Sequence, residues 1–348
     1  MRRLLFLLVA ALLTTSLTGC DLFGDEDAPQ PTTQGVFVAN QGNFTDGNGS
    51  ITVYDPVSED VTVGALTNFN SIVQGITIFG SRLYVSTNTG GRIDVFNTDQ
   101  LQQVAQVSGF SGPRYTALTE RGAGIITDQS FSGPSSVRIV NFESTSPQIE
   151  ETIEVPGLPE GVTLTDTRIY AALGGFGDTT LVAAIERQTL ELAQTIDVGC
   201  APRFALADNE NDVYAVCSDK AEVVRLSGDS GDILGRIALP DTASTLGPGQ
   251  TASFSPEADE LYVVLDAREV ARINTTNETV TATIGPVDGA EGIGGVAYDA
   301  TRQELYLARL QPAPTGFEAQ GRVSVHDRAG TEIASFPTGD APTPTRGE

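Results

Sequence analysis

Leu83-Tyr84-Val85, Val213-Tyr214-Ala215, Leu261-Tyr262-Val263 and Leu305-Tyr306-Leu307 are variants of one apolar core, and Val36-Phe37-Val38, Ile125-Ile126-Thr127 and Ile169-Tyr170-Ala171 complete the set. Their central residues are separated by 47, 42, 44, 44, 48 and 44 positions. Each core follows a short strand and a tight turn, as in Thr77 to Gly80 or Val296 to Asp299. Two more strands come after it, as in Arg92 to Phe96 and Val104 to Val107. A period near 45 built from four short strands is the signature of propeller blades. Seven copies therefore predict an all-β chain, a seven-bladed β-propeller with four-stranded blades spanning residues 36–348. The cores are apolar on both sides of the strand, as sheets buried between two neighbours must be. The recurring Tyr belongs to that packing and not to a site.

The same repeat predicts how the ring closes. The first copy supplies its second, third and fourth strands at Val36 to Asn40, Ser50 to Tyr54 and Val61 to Leu66, and nothing suitable precedes them. Near the other end, Gly339-Asp340-Ala341-Pro342 echoes Gly199-Cys200-Ala201-Pro202, the lead-in of an innermost strand. Thr343 to Glu348 is therefore expected to complete blade 1, leaving no long exposed edge.

Composition agrees with this class, with 37 Gly, 18 Pro and few helical signals. The formal charge is −25, from 20 basic and 45 acidic residues. Nucleic acid is excluded as a partner by that balance. Lys220 is the one lysine, and so acidic a surface fits work in high salt, where self-repulsion is screened.

Before the repeats, Arg2 and Arg3 precede an apolar run from Leu4 to Leu13 and then Leu17-Thr18-Gly19-Cys20. The run is about half the roughly 20 residues that a spanning helix needs, so residues 1–19 read as a signal peptide. The ending resembles the lipobox of bacterial lipoproteins, which implies that Cys20 is acylated and becomes the first mature residue. Without Arg2 and Arg3 the mature chain carries 18 basic and 45 acidic residues, a charge of −27. Residues 20–35 form an acidic tether rich in Pro, Thr and Gln. Asp25-Glu26-Asp27 resembles the acidic signal that sends some lipoproteins to the outer face of the outer membrane; a plain solvated linker is the alternative. With Cys20 acylated, Cys200 and Cys217 are the pair left in an oxidising compartment, and both fall at one end of adjacent strands of blade 5. A disulfide is expected there, against two buried thiols.

Over almost the whole mature chain the repeats resemble the YVTN or YncE-like propellers, with Gly-x-x-Pro, an apolar strand and a Leu-Tyr-Val core. The opening Val36-Phe37-Val38-Ala39-Asn40-Gln41-Gly42-Asn43-Phe44, continuing to Ser50-Ile51-Thr52-Val53-Tyr54-Asp55, resembles the start of BtuG-like surface lipoproteins. That resemblance implies capture of cobalamin and its transfer to a TonB-dependent outer-membrane transporter. It implies a lipid-anchored protein, monomeric apart from that partner.

Two sets of residues are candidates for the site. Gln74, Arg114, Glu160, Arg203, Gln250 and Glu291 fall at nearly corresponding positions just before innermost strands. Gly112-Pro113-Arg114-Tyr115 and Ala201-Pro202-Arg203-Phe204 are near copies, bringing Tyr115 and Phe204 into the set. This predicts a ring of mixed polar groups around the central channel, either binding carboxamides or phosphate or simply solvating the channel mouth. Phe44, Phe131, Phe176 and Phe317 each lie in a Gly-containing loop between second and third strands. Large aromatics exposed on one face make a recognition surface, and part of the set is expected to pack within its loops instead. The long loop Arg309 to Gly321 is read as a gate or partner contact, or as a rigid excursion.

Signals for catalysis are weak. His326 is the one histidine, expected on the third strand of the last blade, and a His-based triad or His-rich metal centre is hard to build from it. The chain has no Trp. Gly174-Gly175-Phe176-Gly177 and Gly292-Ile293-Gly294-Gly295 open no helix and are read as turns. Asp208-Asn209-Glu210-Asn211-Asp212 has calcium-like spacing but is read as a hairpin turn. Three functions stay open: a surface binding protein for a corrinoid, needing no cofactor; a metal-dependent hydrolase or lactonase using Glu160 and Glu291; and a scaffold or adhesin.

Overall fold

The computed structural model describes residues 35–177, 179–245, 249–255, 257, 259–266, 268–311 and 320–346. The strands form seven four-stranded antiparallel sheets, one for each repeat, and the chain is a seven-bladed β-propeller. Blade 2 shows the plan, running from innermost Val73–Phe79 through Arg82–Thr87 and Arg92–Asn97 to outermost Gln103–Ser108.

Seven apolar clusters fill the seven gaps between blades. Alternate residues of one strand face opposite neighbours. Leu83 and Val85 pack with Phe37 and Ile51 of blade 1, while Tyr84 packs with Ile126 and Phe142 of blade 3. Both faces of the strand are thus dry, and its sequence reads as a continuous apolar run. The repeated tyrosines 84, 170, 214, 262 and 306 are at most 1% exposed. Each burial contributes about 2 kcal/mol. In blades 5, 6 and 7 their hydroxyls donate to Asp208 at 3.1 Å, Glu260 at 2.7 Å and Glu304 at 2.9 Å, which keeps the phenols satisfied at the sheet edge.

Blade 1 takes Val36–Asn40, Ser50–Tyr54 and Val61–Leu66 from one end of the chain and its innermost strand, Pro342–Arg346, from the other. The register runs from Val36 opposite Arg346 to Asn40 opposite Pro342. Asn40 Oδ1 also accepts the Gly339 N–H at 3.0 Å. Val36–Asn40 is fully buried, so without this strand it would be an open hydrophobic edge. Cys200 and Cys217 are disulfide-bonded, with Cα atoms 5.7 Å apart, and Cys217 stands opposite Pro202 on the neighbouring strand.

One expected turn is a strand. Gly292-Ile293-Gly294-Gly295 opens the innermost strand of blade 7, Gly292–Asp299. A Cβ on Gly294 would lie 3.0 Å from the Pro342 carbonyl oxygen, so glycine is what lets this strand approach the closing strand. Gly175–Gly177 is a single 3-10 turn, as expected of a loop. His326 sits on the third strand of blade 7, with Nδ1 3.1 Å from the Gly330 carbonyl and Nε2 2.9 Å from Ser324 Oγ. The signal segment, Cys20, the tether as far as residue 34, residues 312–319 with Phe317, and residues 347–348 lie outside the described residues.

Candidate functional site

The polar positions ahead of the innermost strands do not form one open ring. Arg114 Nε donates to Glu160 Oε2 at 3.0 Å, Nη2 to Glu160 Oε1 at 2.8 Å, and Nη1 to Gln74 Oε1 at 2.6 Å. All three residues are buried. They come from blades 2, 3 and 4, so the network is a staple across three blades. Burial alone would push the Arg114 guanidinium down, but the Glu160 carboxylate and the neighbouring Tyr115 together hold the arginine above its ordinary value. Burial, then the Glu160 charge, pushes the Tyr115 phenol up, keeping it a neutral hydroxyl.

The remaining ring residues disperse. Arg203 stacks on its own neighbour, with its guanidinium carbon 5.8 Å from the Phe204 ring centroid. Phe204 was expected to face a ligand; it is 3% exposed, in the core between blades 5 and 6, and meets Tyr115 edge-on at 5.1 Å. Gln250 is half-buried and its carbonyl accepts the Val296 N–H at 3.0 Å. Glu291 is exposed, and its N–H donates to the Leu310 carbonyl at 2.8 Å.

The aromatic set converges. Phe44, Phe131 and Phe176 are 58%, 78% and 77% exposed, and all three line one open cleft of about 470 Å³ over blades 1 to 4. The Phe131 and Phe176 rings lie 6.0 Å apart, inclined at 58°. Between and beneath them the cleft is walled by Asn88, Thr89, Gln129, Ser130 and one edge of Arg114.

Backbone hydrogen bonds seat the Phe176 and Phe44 loops. Gly174 N–H donates to the Pro202 carbonyl at 2.9 Å and Gly175 N–H to the Leu158 carbonyl at 3.0 Å. A Cβ on Gly174 would strike Pro202 backbone atoms at 2.6 Å. On that base Phe176 adopts φ 57 and ψ 19, a left-handed conformation that costs a non-glycine residue about 1–2 kcal/mol. A strained backbone that holds a large apolar ring in water is poor economy for packing and good geometry for recognition. The Phe44 loop is tied within itself, Asn43 N–H donating to Asn48 Oδ1 at 2.6 Å and Gly47 N–H to the Asn43 carbonyl at 2.8 Å.

Asn88 and Gln129 were not singled out from sequence. Each is the first residue after a second strand, as is Gln41 in blade 1, and that shared position was the signal. Asn88 Nδ2 donates to the Pro113 carbonyl at 3.2 Å and Gln129 Nε2 to that of Pro159 at 3.1 Å, each fastening one blade to the next.

The acidic hairpin of blade 5 brings Asp208, Glu210 and Asp212 carboxylates within 4.8 Å of one another. Asp208 Oδ1 accepts the N–H groups of Glu210 and Asp212 at 2.9 Å, Tyr214 holds its other oxygen, and Arg225 Nε holds Asp212 at 2.7 Å. The cluster caps a turn, as its sequence predicted.

Fold and site together define a seven-bladed propeller with an open aromatic cleft on one face. The chain belongs to the family described as a domain of unknown function, DUF5074, whose model matches residues 34–340. No curated protein matches it. A functionally unknown protein from Desulfotomaculum acetoxidans DSM 771 superposes with a TM-score of 0.67 at 12% identity, over 88% of this chain and 98% of that one. A Bacteroides fragilis NCTC 9343 protein provisionally described as a 6-phosphogluconolactonase gives 0.65 at 15% identity, over 91% and 99%. Kuenenia stuttgartiensis hydrazine synthase gives 0.61 at 17% identity, over 74% and 76%. At such identities the likeness establishes the fold alone.

Proposed function

We propose that this protein is a surface lipoprotein that captures a small molecule, cobalamin or a related corrinoid, and passes it to a TonB-dependent outer-membrane transporter. Acylated Cys20 and the acidic tether would hold the propeller at the membrane, where several acyl chains anchor stably and one is marginal. The observation that carries the reading is the convergence of exposed Phe44, Phe131 and Phe176 on one cleft with amides and hydroxyls at its floor. A corrinoid offers a broad macrocycle for aromatic contact and peripheral carboxamides for Asn88, Gln129 and Ser130. The opening residues Val36 to Asp55 add the family resemblance.

The metal-dependent hydrolase reading gains nothing from the geometry. The Glu160 carboxylate is engaged on both oxygens by Arg114, and Glu291 is an exposed residue. Among the described residues, neither belongs to a group of three metal-ligating side chains.

Calorimetric titration of the propeller from Gly35 onward with cyanocobalamin, in low and high salt, tests the proposal. Binding weakened about tenfold or more by Phe131→Ala or Phe176→Ala supports it. Absence of binding in both salts, or binding indifferent to both substitutions, removes the corrinoid assignment.

A further inference from the structure

We infer that the cleft takes ligands of no net charge and turns net anions away. The inference rests on the reading that the cleft is a ligand site, and it adds the class of ligand that fits. It stands on the one cation that lines the cleft among the described residues, Arg114, and on the arginines of the third strands of blades 2 and 3, each of which is held by a buried acid. Arg114 is paired with Glu160 at 2.8 Å, Arg92 with Asp94 at 2.9 Å and Arg138 with Asp128 at 3.1 Å. The three carboxylate side chains are only 4%, 4% and 1% exposed, so they lie beneath the surface and neutralise the arginines from behind.

The backbone tells the same story. The lead-in to the innermost strand of blade 3 presents two successive N–H groups, Ser111 and Gly112, an arrangement that would cradle an anion. Asp128 occupies it from within, accepting from Ser111 at 2.8 Å and Gly112 at 2.7 Å. The groups left to meet a ligand are the rings of Phe44, Phe131 and Phe176 with side-chain amides and hydroxyls. A net charge of −25 adds long-range repulsion of anions. Phosphorylated sugars, nucleotides and acidic chelators would lose hydration here and gain no cation in return. Neutral molecules with a broad apolar face and amide or hydroxyl edges lose nothing of the kind.

The test uses two dyes that differ by one sulfonate, neutral N-phenyl-1-naphthylamine and anionic 1-anilinonaphthalene-8-sulfonate. Both are titrated by fluorescence onto the propeller from Gly35, which carries all seven sheets and the closing strand. The neutral dye is expected to bind at a site lost in Phe176→Ala and Phe131→Ala, with an affinity that salt hardly changes. The sulfonate should bind there about tenfold more weakly, close to the worth of one uncompensated charge. Glu160→Gln keeps an oxygen for Arg114 but unmasks its charge, and should narrow the gap to about threefold or less. Sulfonate binding at this site as tight as the neutral dye's, falling steeply with salt, overturns the inference. No neutral-dye binding sensitive to the two phenylalanines overturns the inference and the ligand-cleft reading together. If the dyes discriminate as described while cyanocobalamin does not bind, the inference stands and the corrinoid assignment alone fails.

Discussion

Replacing Glu160 by alanine should expose how much of the fold near the cleft hangs on one ion pair. The substitution removes both oxygens that hold Arg114, whose side chain is 10% exposed. Breaking a buried pair by deleting one partner costs about 3–5 kcal/mol, because a charge is left desolvated. Arg114 keeps its 2.6 Å hydrogen bond to Gln74 and borders the open cleft, so the lower end, about 3 kcal/mol, is appropriate. At about 2 °C per kcal/mol for a chain of this size, the Tm should fall by about 6 °C. The companion Arg114→Met/Glu160→Leu removes both charges and fills the space with apolar atoms. It should lie within about 1 kcal/mol of the parent. Thermal and urea unfolding followed by circular dichroism supply both numbers, and the cycle through the two single variants isolates the coupling. A Glu160→Ala protein melting within 1 °C of the parent would refute the staple. So would a double variant as unstable as the single one.

Three further outcomes follow from the same geometry. Deleting residues 342–348 strips the Val36–Asn40 strand of its partner, at a cost on the order of 5 kcal/mol for about five lost backbone bonds, and the bared edge should associate in size-exclusion chromatography; an unchanged Tm would show that the ring closes by other means. Phe204→Ala should cost about 3–5 kcal/mol as a core truncation, whereas Phe176→Gly should relieve the left-handed backbone and stabilise by about 1 kcal/mol while weakening ligand capture, as paired melts and titrations can show. Burial holds the His326 pKa below the ordinary 6.5, so the folded state binds its proton less readily than the unfolded chain does. The stability contribution is present above pH 6.5 and is lost as pH falls toward the depressed folded value; a His326→Gln variant should lack this slope in denaturation midpoints measured between pH 7.5 and 5, and an identical slope would exclude His326 as its source.

The propeller was legible because its period is carried by residues that each blade must bury. Tyr84 and Tyr262 sit in different blades yet answer the same demand, a large side chain between two sheets. The closing strand was legible because Gly339-Asp340-Ala341-Pro342 repeats a lead-in found elsewhere in the chain. Gly292 to Gly295 was misread because glycine marks both a turn and a close approach, and the approaching backbone, at Pro342, lies about fifty positions away in sequence. Phe44, Phe131 and Phe176 were legible because a phenylalanine in a glycine-rich loop has little core to join. Phe204 and Tyr115 share a motif position, and only the neighbouring blade decides that Phe204 is covered while Tyr115 stays half-buried.

The polar ring was the illegible part, and the reason is a competition that spacing does not record. Arg114 and Glu160 stand 46 positions apart and Arg114 and Gln74 40 apart, so nothing local announces that they have chosen one another. A charged residue at a channel mouth serves an anionic ligand only if no buried counter-charge takes it first. With 45 acidic and 20 basic residues, an arginine near this face has acids in excess to pair with, and Arg92, Arg114 and Arg138 each have a buried one. The excess of acid thus works twice, giving the surface its charge and removing the arginines from the recognition chemistry. What remains for recognition is the part of the site that no carboxylate can occupy: three exposed rings and the amides at their feet.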